Sequence, residues 1–98
     1  MNCVNKVELS GKLLSKIETF SFWFINIDCN DKEYKRKFSC QLWKNNSICI
    51  NKIKQLEVND IVYIYAYLQV GKNSMINIVI KNLDILEETD DDKIEWSV

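Results

Sequence analysis

Residues 61–70, Ile-Val-Tyr-Ile-Tyr-Ala-Tyr-Leu-Gln-Val, constrain the fold more than any other segment. Val62, Ile64, Ala66 and Leu68 fall on one side of an extended chain, and Tyr63, Tyr65, Tyr67 and Gln69 fall on the other. That period of two is the signature of a strand. Gly71-Lys72-Asn73-Ser74 follows as a tight turn, and a second strand runs from about Met75 to Leu86. The C-terminal half of the domain is therefore a hairpin.

The N-terminal half reads as three more strands. From Val4 to Leu14, the residues Val7, Leu9, Gly11 and Leu13 share a face. Gly11 inside this strand marks a bend or a close backbone approach, as a barrel needs where a strand curls. Lys16 to Thr19 reads as a short polar connection. Phe20 to Cys29 is apolar on both parities, with Phe20, Phe22 and Phe24 on one and Trp23, Ile25 and Ile27 on the other. Such a strand is buried on both faces or uses one of them for binding. After the turn signal Asn30-Asp31-Lys32, the stretch Tyr34 to Trp43 sets Phe38, Cys40 and Leu42 against Lys35, Lys37, Ser39, Gln41 and Trp43. Lys44-Asn45-Asn46-Ser47 breaks this strand. Ser47 is placed to cap a short helix within 48–56, where Ile48, Ile53 and Leu56 keep roughly helical spacing.

Three strands, a helix and then a strand hairpin describe an all-β domain with one short helix. This is the layout of the five-stranded Greek-key barrel, the OB-fold, over residues 1–86. A β-sandwich would want about seven strands and has no place for the helix. Residues 87–98 form a separate acidic tail, expected to be solvated.

Composition limits the function. Residues 1–86 carry a net charge of +4 and residues 87–98 a net charge of −5, which gives −1 for the whole chain. A mildly basic body suits a polyanion, and a solubilising tail on an ordinary domain fits the same numbers. The chain has no histidine and two glycines, so Ser-His and Cys-His pairs and phosphate-cradling glycine loops are unavailable. Its one carboxylate cluster, Asp90-Asp91-Asp92, lies in the tail, where it cannot hold catalytic geometry. A non-enzymatic protein without cofactor or metal is expected. Cys3, Cys29, Cys40 and Cys49 form no Cys-x-x-Cys pair and read as free thiols. No apolar run reaches the ~20 residues of a membrane span and the N-terminus is too polar for a signal peptide, so a cytoplasmic protein is expected.

Binding residues follow from the strand parities. An OB barrel meets single strands largely on its second and third strands, where bases stack on aromatics over a basic track. Trp43, Lys35 and Lys37 are the leading candidates, followed by Trp23, Lys44 and Arg36. Trp23 is taken with the outer face, its alternative being to cover a barrel end, and Arg36 falls on the core parity. Tyr63, Tyr65 and Tyr67 make an outward stripe fit either to stack bases or to pack against a second subunit, the latter being favoured.

Five segments carry a resemblance to the bacterial-type single-stranded DNA-binding proteins over about residues 4–86. Asn5-Lys6-Val7 with Leu9, Gly11 and Leu13 resembles the opening strand, and Thr19-Phe20-Ser21-Phe22 the second. Phe38-Ser39-Cys40-Gln41-Leu42-Trp43-Lys44 resembles the third, Asp60 to Gln69 the fourth and Ile78 to Leu86 the fifth. In length the chain also resembles the primosomal replication protein B family. The resemblance implies sequence-independent binding of single-stranded DNA in replication, repair or plasmid transfer by a homo-oligomer, dimer or tetramer, with Trp43 as a stacking residue. It also implies recruitment of replication or repair proteins through the tail, here Asp90, Asp91 and Asp92 with Ile94 and Trp96. The chain departs from the family at the second stacking position, where Lys37 falls, and in its short Gly71–Ser74 turn. Lys, Ile and Asn supply 36 of the 98 residues, a bias that suits an AT-rich plasmid, phage or other mobile element. A protein-interaction barrel and an RNA-binding barrel remain the alternatives.

Overall fold

The chain closes its strands into a barrel in the order β1-β2-β3-β5-β4, with β4 returning to β1. The structure is a computed structural model describing residues 4–29 and 36–87. The strands are β1 (Val7–Glu18), β2 (Phe22–Asp28), β3 (Lys37–Trp43), β4 (Ile61–Val70) and β5 (Ile76–Glu87). A helix, α1 (Ser47–Ile53), separates β3 from β4, and the 3-10 turn Lys72–Ser74 joins β4 to β5. All strand pairs are antiparallel except β3 with β5. This is the OB-fold.

β1 is longer than its sequence pattern implies. It extends through Glu18, so Lys16 to Glu18 belong to the strand rather than to a connection. The pairing with β2 shifts between Leu13 and Ser15, a bulge that breaks the period of two where the strand turns the barrel's corner. Residues 7–12 pair with β4 and residues 12–18 with β2, so β1 belongs to both halves of the sheet. Gly11 lies beside this handover. A Cβ there would stand 2.5 Å from the Asp28 carbonyl oxygen and 2.9 Å from its carbon, both backbone atoms that cannot swing aside. The residue is glycine because β1 and the end of β2 approach too closely for a side chain.

Leu13, Ile25, Ile27, Cys40, Leu42, Val62, Ile64, Ala66 and Leu83 fill the interior. From α1 come Cys49 and Ile53, with Leu56 after the helix, and together they close one end. The helix is capped by Asn46 rather than Ser47: the Asn46 side chain accepts from the Cys49 backbone N–H at 3.3 Å. That start puts Cys49 and Ile53, four residues apart, on the buried side and leaves Ile48 exposed, against the spacing read from sequence. At the other end of the helix the Lys16 ammonium donates to the carbonyls of Ile53 (2.9 Å) and Leu56 (2.8 Å). A cation here satisfies carbonyls that have no partner within a helix. The connection into β4 is held by Asp60, whose carboxylate accepts from the Glu57 N–H at 2.8 Å while its carbonyl accepts from the Leu13 N–H at 2.8 Å.

Past the barrel wall the β4–β5 hairpin continues, pairing Leu68 with Ile78 and Val70 with Ile76. These apolar residues keep the inward parity, but Leu68, Val70 and Ile76 are exposed because no wall stands opposite them.

Candidate nucleic-acid interface

The outer face of the sheet around β2 is set by the β2–β3 register. Phe22 lies opposite Trp43, Phe24 opposite Gln41, Asn26 opposite Ser39 and Asp28 opposite Lys37. Because Ile25, Ile27, Cys40 and Leu42 point inward, these pairs all point out. The Phe22 ring stands 4.9 Å from that of Phe24, edge to face at 84°, and 5.1 Å from the Trp43 ring, tilted at 52°. These spacings lie in the favourable range for aromatic pairs, so the rings hold one another in place. Ile17 of β1 lies opposite Phe24 and widens the apolar patch. Thr19 fixes the β1–β2 turn, its hydroxyl donating to the Phe22 carbonyl at 2.6 Å and accepting from the Phe22 N–H at 3.2 Å. Phe20, in that turn, is 97 % exposed.

Of the residues expected to bind, Trp43 sits on this face and is 38 % exposed. Lys37 is exposed on the same face. Trp23 is not on it. Its partner across the ladder is the buried Leu42, and it packs against the core with Ile25 and Ile27 on its parity. β2 is apolar on both parities, so its own sequence does not show which side is inward; pairing with β3 does. Phe22 and Phe24 take the place that the sequence reading gives to Trp23. Lys44 closes the strand end, its N–H donating to the Ser21 carbonyl and its ammonium 2.7 Å from the Glu18 carboxylate. The Arg36 carbonyl accepts from the Cys29 N–H at 2.7 Å, and its side chain is exposed. Lys35, Asp90, Asp91, Asp92, Ile94 and Trp96 lie outside the described residues.

Asp28 occupies an unusual position. Lys12 on β1 and Lys37 on β3 flank it in register. One of its carboxylate oxygens is buried and has no hydrogen-bond partner among the described residues. It borders a cleft of about 330 Å³ with Ser10, Gly11, Lys12, Cys29 and Ile61, beside the handover of β1.

The tyrosine stripe lies on the face shared by β1, β4 and β5. Tyr63 pairs with Ser10 and Asp84, Tyr65 with Glu8 and Asn82, and Tyr67 with Val79. All three are half-buried by neighbours of the same chain. The Lys6 ammonium lies 3.0 Å from the Glu8 carboxylate and 5.4 Å from the Tyr65 ring centre, and the Lys81 ammonium lies 5.7 Å from that of Tyr67. Hydrogen bonds from Lys6 and then Tyr63 hold the Glu8 carboxyl below its usual value. Desolvation, followed by the bond to Glu8, raises the Tyr63 hydroxyl. Lys52 of α1 reaches Asp84 at 2.9 Å and Asn82 at 3.0 Å. Burial pushes the Cys40 thiol up to about 12 and also raises Cys29 and Cys49. Among the described residues no three metal-ligating side chains gather, and no helix is long and apolar enough to cross a membrane.

Fold and face together define an OB barrel carrying an aromatic patch on β2 and β3. The same fold is found in Rim1, a mitochondrial single-stranded DNA-binding protein of S. cerevisiae, with a TM-score of 0.70 at 13 % identity over 87 % of this chain and 96 % of that one. The second single-stranded DNA-binding protein (SSBb) of Mycobacterium smegmatis gives 0.63 at 10 % identity over 84 % and 88 %. Asparaginyl-tRNA synthetase from Pyrococcus horikoshii gives 0.66 at 16 % identity over 87 % of this chain but 20 % of its own. No protein-family profile and no curated protein sequence matches the chain.

Proposed function

We propose that this barrel binds single-stranded DNA without sequence specificity, stacking bases on Phe22, Phe24 and Trp43. The observation that carries the reading is the contiguous outward aromatic patch on the two strands that OB barrels use for single strands. Every base has a flat face, so such a patch accepts any sequence, at ~1–3 kcal/mol per stacked base. The fold shared with Rim1 and SSBb supports the same reading. Lys37, opposite Asp28 at the other end of the β2–β3 ladder from Phe22 and Trp43, serves as a phosphate contact, with Lys35 and Arg36 as further candidates. In the cell this activity belongs to replication, repair or plasmid transfer, and the acidic tail recruits proteins of those processes. The tyrosine face serves a second copy of the chain, as dimer or tetramer.

Tryptophan fluorescence titrated with oligo-dT at low salt tests the proposal. Quenching that is lost in Trp43→Ala supports it. An absence of binding at low salt refutes it and leaves the barrel as a protein-docking scaffold, while tighter binding to oligo-rU would make RNA the ligand. Sedimentation of Tyr65→Glu tests the assembly, since an oligomer indifferent to that charge places its interface elsewhere.

A further inference from the structure

Phe20, in the β1–β2 turn, is the most exposed large apolar side chain among the described residues, at 97 %. Turns favour small and polar residues, and a ring this exposed adds next to nothing to the core. The turn beneath it is pinned on both sides. The Thr19 N–H donates to the Phe22 carbonyl at 2.8 Å, the Thr19 hydroxyl bonds Phe22 twice, and the Lys44 N–H donates to the Ser21 carbonyl at 3.1 Å. Two residues separate Phe20 from Phe22, so their Cα atoms stand at most about 7 Å apart. Phe22 in turn lies opposite Trp43, which puts Phe20 at the end of the aromatic patch. One property sets it apart from the rings there. Phe22 stands against Phe24 at 4.9 Å and against Trp43 at 5.1 Å, so each of the three gives part of its surface to a neighbour. At its exposure Phe20 gives up neither face.

We infer that Phe20 inserts between two successive bases of the bound strand, one on each face, and so biases the site towards strands whose bases stack weakly on one another. The inference rests on the proposed binding of single strands and adds a position and a preference to it. A stacked base is worth about 5- to 150-fold in affinity, and a ring open on both sides can collect that gain from two bases. Insertion also has a cost, because an apolar wedge must part the bases that it enters. The cost is small between thymines, which stack poorly, and larger within a run of adenines. Phe22, Phe24 and Trp43 are packed together and receive bases from outside, so they impose no such bias.

The test compares oligo-dT and oligo-dA of equal length on the full chain and its variants at low salt. Phe20→Ala should lose at least about tenfold on oligo-dT and less on oligo-dA. Its urea midpoint should stay unchanged, as for an exposed surface residue. Phe20→Leu, apolar but without a ring, should lose nearly as much. Phe20→Trp should keep the affinity, and oligo-dT should quench its added indole beyond the quenching of the wild type. Ile48→Ala, at an exposed apolar position on α1, should bind as the wild type does. Equal affinities of wild type and Phe20→Ala, or full affinity in Phe20→Leu, overturn the inference while leaving single-strand binding intact. An equal loss on the two strands also overturns it, since the ring would then stack without parting bases. If the wild type binds neither strand, the proposed function falls and the inference falls with it.

Discussion

The Asn5 carboxamide and the Leu68 backbone exchange two hydrogen bonds, Leu68 N–H to Oδ1 at 2.8 Å and Nδ2 to the Leu68 carbonyl at 2.6 Å. The β1–β4 ladder reaches Val7 opposite Ala66, so the side chain of Asn5 supplies the next rung in place of backbone. It thereby covers a stretch of β4 edge that would otherwise offer both groups to another chain. Asn5→Ala should cost about 1 kcal/mol, as for an exposed pair of neutral hydrogen bonds. It should also speed amide exchange at Leu68 more than at Ile64. Equal exchange at the two sites in the variant would count against the edge-covering role.

Gly11→Ala should destabilise the fold by about 1–3 kcal/mol in urea melts, because the added methyl meets the Asp28 carbonyl rather than a movable side chain. Gly71 is the internal control: a Cβ there meets the flexible Asn77 amide at 2.7 Å, so Gly71→Ala should cost less. Reversal of that order would place the tight approach at the hairpin instead.

Lys16→Met keeps the length of the side chain and removes both donors to the carbonyls at the end of α1. A loss of about 2 kcal/mol is expected, the scale of hydrogen bonds to a charged group, with Lys16→Arg recovering part of it. Indistinguishable stabilities for the wild type and Lys16→Met would show that water replaces the ammonium at no cost.

Alkaline stability should depend on Cys40. Its thiol titrates at about 12 in the fold against about 9 ordinarily, so the folded state holds the proton more tightly than the unfolded chain. The stability this gives is fully present below pH ~9 and is lost as the pH rises towards 12. Chemical denaturation of the wild type across that range should therefore fall more steeply than that of Cys40→Ala. Parallel pH profiles would remove the thiol as the cause. Cys40 should also resist alkylation at neutral pH until the chain unfolds.

What the sequence reveals and conceals follows from the range of each signal. The strand order, the hairpin and the close approach at Gly11 are legible because alternation, turn residues and an isolated glycine are local. The helix cap slips by one because Asn46 and Ser47 are both good caps, and only the burial of Cys49 and Ile53 decides between them. Trp23 is misplaced because β2 has apolar residues on both parities. The deciding fact lies one strand away, where Ile25 meets Cys40 across the ladder. The neutralisation of Lys44 by Glu18 and the use of Lys16 to finish a helix 37 residues away join distant segments and leave no trace in spacing.

The handover at Lys12 makes β1 a hinge pin shared by two walls. Its first half carries Glu8 and Ser10 into the tyrosine face, and its second half carries Ile17 into the aromatic patch. A shift of this strand along its own axis cannot be confined to one side of the barrel. A ligand that strained the patch and a subunit that pressed on the tyrosines would pull on the same twelve-residue cord.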